Sequence, residues 1–269
     1  MGRRSVSQLK TYTGCGEAYR LGRVVEPKPP QKPAAWTALG TALHDVYEAW
    51  ERAERAWLMA EKFPLFFDAE IERFKYLQPD LNEWTKTPRG GSTQRDIDLR
   101  RLNGIQQAEA LQWHSENAEW KLWRLPDGGP AVEVPFEVEF EDLDRIDTWD
   151  CSHKVIIRGK IDSILEWPDK RKTVRDLKSG AAKEDNRQLG MYRFAANELF
   201  NLNINFGQYW YAKRGEESSW VDLRNYTKEY LTETYVGLDR AIEQEIFLAN
   251  PGSQCFLCEY KYSCREWVK

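Results

Sequence analysis

Between residues 131 and 180, three β-type runs follow one another closely, and this block limits the possible fold more than any other part of the chain. "AVEVPFEVEF" (131–140) alternates with period 2, with Val132, Val134, Phe136, Val138 and Phe140 on one face and Glu133, Glu137 and Glu139 on the other. "KVIIRGKIDSILEW" (154–167) is a second run and "RKTVRDLKSG" (171–180) a third. Only Pro168, Asp169 and Lys170 separate these last two, and so short a turn joins antiparallel strands. A helix is predicted next over 184–200, with Asp185 or Asn186 as N-cap and Leu189, Tyr192, Ala195 and Leu199 on its apolar face. "NINFGQYWYAKRG" (203–215) reads as a fourth strand, "SWVDLRNY" as a possible fifth, and Thr227 to Asn250 as a last helix. Upstream, helical spacing predicts helices over about 36–60, 62–77 and 98–123. They are preceded by a proline-rich loop (24–36) and interrupted by a polar mobile loop or lid (80–96). Helices, three strands, a helix and a strand make an α/β sandwich whose middle strands meander antiparallel before a crossover helix.

The 269 residues suffice for one large domain with a substantial core, so the fold needs no cross-links. No apolar run approaches the length of a membrane span, and the basic N-terminus has no apolar stretch behind it. The expected compartment is therefore the cytoplasm, where clustered cysteines more often bind metal than form disulfides. The net charge of −4 argues against a surface coated in DNA-binding charge, but a sum is silent about local patches. The 12 tryptophans supply flat faces suited to a core or to stacking on bases.

The hairpin sets two acids against each other. With Pro168–Lys170 as the turn, Trp167 faces Arg171 and, counting back, Asp162 faces Asp176. Opposed side chains on one face have Cβ atoms about 4.5–5.5 Å apart. Two carboxylates that close repel unless a cation lies between them, and magnesium is held by a few carboxylates with water and phosphate oxygens. Lys178 emerges on the same face as Asp176, next to where such an ion would sit. Taken alone, Asp-x-Lys is also an ordinary pair on an exposed strand. His44, on a helix edge, reads by itself as a packed or surface residue.

In order, "GTALHDVYE" (40–48), "GKID" (159–162), "RDLKSG" (175–180) and "RQLGMY" (187–192) resemble the motifs of the RecB-like branch of the PD-(D/E)xK nuclease superfamily. The resemblance implies a restriction-endonuclease-like core, a mixed central sheet flanked by helices, with an N-terminal helical region and a C-terminal cysteine cluster. It implies Mg²⁺ or Mn²⁺ held by His44, Asp162, Asp176 and the Leu177 carbonyl, with Lys178 catalytic. Gln188 and Tyr192 match the family's Q-x-x-x-Y, which lies beside the active site and contacts the strand being cut. The acidic strand also resembles a family strand, without indicating which glutamate takes part.

Cys255, Cys258 and Cys264 place three soft ligands within reach of one metal centre, and a fourth ligand is needed. Cys15, flanked by glycines, and Cys151 are both candidates. The bland alternative is three free thiols in a frayed tail. A subset of the same family, including the AddB nuclease domain and CRISPR-associated RecB-like exonucleases, carries one cysteine before the core and three after it around a [4Fe–4S] cluster. By that resemblance Cys15, Cys255, Cys258 and Cys264 hold the cluster and Cys151 is left over. Zn²⁺ on the same thiolates is the alternative.

These readings give a single nuclease domain over 1–269. Segments 1–35 and 250–269 are joined by the cluster, 36–125 is a helical region, 131–215 is the catalytic core and 226–250 is a C-terminal helix. The expected activity is divalent-metal-dependent hydrolysis of DNA in recombination or repair, as an exonuclease on single-stranded or free ends. Endonuclease or flap cutting, or a non-catalytic DNA-binding module on the same fold, are the rivals. Arg89, Arg95, Arg100 and Arg101 supply local positive charge or a solvated helix face. The chain lacks helicase motifs, so an unwinding or recombination partner would be a separate protein.

Overall fold

The computed structural model describes residues 2–29, 32–86, 91–147, 151–180 and 184–267, leaving aside the side chains of 143–147 and 151–153. In chain order the elements are β1 (Gly2–Ser5), α1 (Val6–Gly14), α2 (Gly16–Arg23), α3 (Ala35–Arg52), α4 (Met59–Leu77), α5 (Thr93–Asn117), β2 (Lys121–Leu122), β3 (Val132–Asp147) and β4 (Cys151–Glu166). There follow β5 (Lys172–Lys178), α6 (Asn186–Phe200), β6 (Phe206–Tyr211), β7 (Glu216–Glu217), β8 (Val221–Asp222) and α7 (Lys228–Glu243). The eight strands among the described residues join one mixed sheet. β3, β4 and β5 meander antiparallel, α6 crosses over, and β6 returns parallel to β5.

The β4–β5 turn follows from its residues. Lys170 N–H donates to Trp167 O and Trp167 N–H to Arg171 O, each at 2.9 Å. Lys170 takes φ +67°, so the three-residue turn is closed by a left-handed residue, as is common in hairpins of this length. The ladder pairs Ser163 with Arg175 and Glu166 with Lys172, and the next step along it is Asp162 opposite Asp176. β1 runs parallel to β4 on the same side as β5, but farther back, with Ser5 beside Arg158. The "GKID" stretch of β4 thus lies in the gap between the end of β1 and the start of β5 pairing.

Two cores cover the two faces of the sheet. On one face, Ile157, Ile161, Val174 and Tyr209 pack with Leu189, Tyr192 and Ala195 of α6 and Tyr235 of α7. On the other, Leu165, Leu177 and Trp210 pack with Leu39, Leu43, Val46 and Trp50 of α3 and Phe63 and Phe67 of α4. Each Leu or Val buried in this way is worth about 1.5–3 kcal/mol, so α3 is held firmly along the face that carries its apolar spacing.

The expected elements are present with altered limits. α3 stops at Arg52, α5 runs Thr93–Asn117 rather than 98–123, β6 is only Phe206–Tyr211, and α7 ends at Glu243. Leu199, expected on the apolar face of α6, is 45% exposed. Nothing in the sequence singled out β1, α1, α2, β2 or β7. The period-2 reading of β3 also fails at its start. Val132 lies in the core beneath α3, whereas Val134 lies in the opposite core. The residue between them, Glu133, has φ +48°, and this left-handed kink switches the face.

Candidate active site

Acids from three neighbouring strands line up at the kink. Glu133 falls between the pairs Val132–Ser163 and Val134–Ile161, which sets it beside Asp162, and Asp162 is next to Asp176. His44 reaches them from α3. Its Nδ1 lies 2.7 Å from Glu133 Oε1 and 3.8 Å from Asp162 Oδ2, and its Nε2 is 3.2 Å from the Leu177 carbonyl oxygen. Ligand atoms of His44, Glu133 and Asp162 all lie within 4.8 Å of one another. One turn before His44, Gly40 lets α3 approach β5: a Cβ there would stand 3.0 Å from Ser179 Oγ.

A chain of polar contacts ties the two aspartates together from below. Lys178 Nζ stands 2.5 Å from Asp176 Oδ2 and donates to Gln188 Oε1 at 3.1 Å. Gln188 Nε2 donates to the Tyr192 hydroxyl at 2.8 Å, and that hydroxyl donates to Asp162 Oδ1 at 2.9 Å. Leu177 N–H donates to Asp162 Oδ2 at 2.8 Å. Gln188 and Tyr192 are brought to one side by their four-residue separation on α6, whose start is fixed by Asp185 capping Arg187 N–H. Both spend their hydrogen bonds on Lys178 and Asp162, so in this structure they hold the acids and the lysine in place.

The electrostatics are those of crowded anions short of cations. Burial first, and then the Asp162 charge, push Asp176 up to about 7 against the pull of Lys178. Burial likewise raises Asp162, opposed chiefly by His44. Burial alone would lower His44, but Asp162, then Glu133 and Asp176, outweigh it and push the imidazole up to about 9. Glu133 is held below its usual range because its bond to His44 overcomes burial. Three carboxylates, one imidazole and a carbonyl oxygen, with protons retained where a charge is missing, are a donor set that fits a hard divalent cation.

Sequence reasoning missed Glu133. The alternation placed it with Glu137 and Glu139, which in fact form surface pairs with Arg158 at 2.6 Å and Lys154 at 2.8 Å. Only the left-handed turn at Glu133 separates it from them, and nothing in the sequence marks that turn. Two of the α5 arginines are engaged in ion pairs, Arg100 with Asp96 at 3.3 Å and Arg101 with Asp68 at 3.0 Å, while the Arg95 backbone N–H is capped by Ser92 Oγ at 3.2 Å. Arg89 lies outside the described residues. His114 belongs to a separate buried group, stacked on Trp210 and bonded to Glu217 at 2.9 Å.

A second cluster lies where the chain ends meet. Cys15, Cys255, Cys258 and Cys264 line one cavity, and none is in a disulfide. Asn250 N–H points at Cys15 Sγ (3.4 Å) and Gly252 N–H at Cys255 Sγ (3.4 Å). Burial, and next the neighbouring thiols, raise the Cys258 thiol, while the Tyr260 backbone pulls the other way. Gly16 is required by close approach, since a Cβ there would lie 2.8 Å from the Leu248 backbone. The cavity among four thiols fits a metal or cluster. Among the described residues, no three of these sulfurs lie within 4.8 Å of one another. The Cys151 side chain lies outside the described residues.

Comparison with known proteins agrees with this geometry. The chain is 32% identical to "Gene 69 protein" of Mycobacterium phage D29 over 97% of this chain and 96% of that protein. It is 29% identical to "Gene 69 protein" of Mycobacterium phage L5 over 97% and 95%. A solved structure titled "Crystal structure of SSO0001" aligns over 98% of this chain and 96% of that one, with a TM-score of 0.35 and 13% identity, too distant to carry an argument. No helix among the described residues is long and apolar enough to cross a membrane. The model of the PD-(D/E)XK nuclease superfamily matches residues 3–265, and the chain belongs to that superfamily.

Proposed function

We propose that this protein is a Mg²⁺- or Mn²⁺-dependent exonuclease acting on single-stranded DNA ends in phage recombination or repair. The observation that carries the metal-dependent part is the convergence of Glu133, Asp162, Asp176 and His44 beside Lys178. His44, Glu133, Asp162, Asp176 and the Leu177 carbonyl would hold the cation. A divalent ion there supplies Lewis acidity toward a phosphoryl oxygen and makes bound water more acidic. Lys178, fixed by Asp176 and Gln188, presents an ammonium to the reacting phosphate and stabilises the charge that grows in the transition state. Tyr192 and Gln188 position these groups. The choice of exonuclease and of single-stranded ends rests on the resemblance to the AddB and CRISPR-associated members.

The four thiols are assigned to a structural [4Fe–4S] cluster. That choice rests on the resemblance to the iron–sulfur members, and zinc on the same four thiolates is the alternative.

An anaerobic preparation assayed for iron, sulfide and zinc, followed by a time course on end-labelled linear and circular single strands with Mn²⁺, tests both assignments. Mononucleotides released from linear strands, with circles left intact, support the reading. Cleavage of circles replaces it with an endonuclease, and DNA binding without any cleavage replaces it with a binding module.

A further inference from the structure

Lys10 lies on α1 one turn before Thr13, on the side of that helix that meets the start of α6. The helix starts directly after β1 delivers the chain alongside Arg158, next to the open "GKID" gap. α1 also touches the start of α6, where the Arg187 guanidinium reaches Thr13 Oγ1 at 3.4 Å. The Lys10 ammonium is repelled by Lys178 and attracted by Asp176 and Asp185. Lys10 is exposed, and among the described residues its ammonium makes no hydrogen bond or ion pair. A second ammonium near Lys178, with no anion of its own, suits an anion brought by the substrate.

The next residue, Thr11, lines a cavity of about 330 Å³ between α1, the start of α3 and the cysteine lobe. Lys32, Trp36, Thr37, Thr85 and Tyr260 also line it. Trp36 is half-buried and has no ring partner among the described residues. Trp36 and Thr37 precede His44 by two turns of α3, roughly 10–12 Å at 1.5 Å per residue. A short stretch of single strand spans that distance. Hydroxyls, an ammonium and an unstacked indole are the groups that hold a nucleotide without reading its sequence.

We propose that Lys10 and the Trp36 cavity form a nucleotide subsite flanking the metal centre, with Lys10 taking the phosphate next to the scissile one and Trp36 stacking on a base. This rests on the nuclease reading above. The test is equilibrium binding of fluorescent oligothymidylate (dT12) to the full-length, cluster-loaded protein over a range of salt, with Ca²⁺. K10A is expected to weaken binding about tenfold and to reduce the salt slope by about 0.7, with K10R keeping most of the slope. W36A is expected to weaken binding severalfold, with W36F keeping most of the affinity. A 5-iodouracil strand should photocrosslink to Trp36 in the wild type, which needs no variant. Wild-type affinity and slope in K10A and W36A, or crosslinks mapping elsewhere, overturn the subsite. If the wild type binds dT12 through these residues but cleaves nothing with Mn²⁺, the subsite stands and the nuclease reading fails. If it binds no dT12, both fail.

Discussion

The Tyr192 hydroxyl donates to Asp162 Oδ1 at 2.9 Å while accepting from Gln188 Nε2 at 2.8 Å, so one buried phenol links an acid of β4 to the lysine of β5. A hydrogen bond to a charged group is worth about 1.5–3 kcal/mol. If that loss falls on the transition state, Y192F lowers kcat/KM roughly 10–100-fold. Initial rates on single-stranded DNA at several Mn²⁺ concentrations check this. A variant with wild-type rates shows that the phenol only fills space.

Asp176 is the acid whose loss should be most severe. It is 1% exposed, touches Lys178 and neighbours Asp162. D176A removes a ligand and the partner that fixes the lysine together, so cleavage falls by at least about 100-fold. DNA affinity in Ca²⁺ stays within a few-fold, because the strand is held by phosphate and base contacts elsewhere. Loss of binding along with cleavage would point to misfolding, which a thermal melt distinguishes.

The same charges make metal binding depend on pH. Asp176, at about 7 in the fold and near 4 when unfolded, keeps a proton that the unfolded chain has given up. On this account, metal-free stability falls as pH rises through 7. His44, pushed up to about 9, acts in the same direction over a higher range: its stabilisation is complete below about 6.5 and is lost as pH rises through 9. Metal binding must expel both protons, so affinity rises with pH from about 5 to 9. Calorimetry in buffers of different ionisation enthalpy should show proton release on Mn²⁺ binding near pH 7, reduced in H44A. Release of no protons would mean that the ion does not displace them.

The hairpin register was legible because the turn is short and the side-chain period is 2. From these alone Asp162 falls opposite Asp176, and Lys178 shares the face of Asp176. The spacing of Gln188 and Tyr192 showed one helical face but not that both side chains turn inward to Lys178 and Asp162. His44 carried no signal of its own and came only with the family resemblance, since a histidine on a helix edge says nothing about what a distant strand brings to it. Glu133 was hidden because its role depends on one left-handed residue in a run that otherwise alternates. The N-terminal strand and helices went unseen because β1 is four residues long and α1 and α2 are nine and eight, too short for periodicity to speak.

The cysteine lobe yields the last prediction. Besides the thiols, the two chain ends are joined by modest contacts: Tyr19 stacked on Phe247 at 6.2 Å, Tyr12 bonded to the Ile246 carbonyl oxygen, and Asn250 Nδ2 bonded to the Gly14 carbonyl oxygen at 3.0 Å. A cluster held by Cys15 at one end and Cys255, Cys258 and Cys264 at the other closes a loop of about 240 residues. Closure of a loop that long removes chain entropy worth about 5 kcal/mol from the unfolded state, before strain is subtracted. C15A and C258A should therefore lose iron and sulfide together and melt several degrees lower. The sheet and α3 have their own cores and should persist, so limited proteolysis should cut first before residue 24 and after residue 245. If instead the thiolates hold zinc, the purified wild type contains one zinc and no sulfide. If they hold nothing, C258A melts like the wild type.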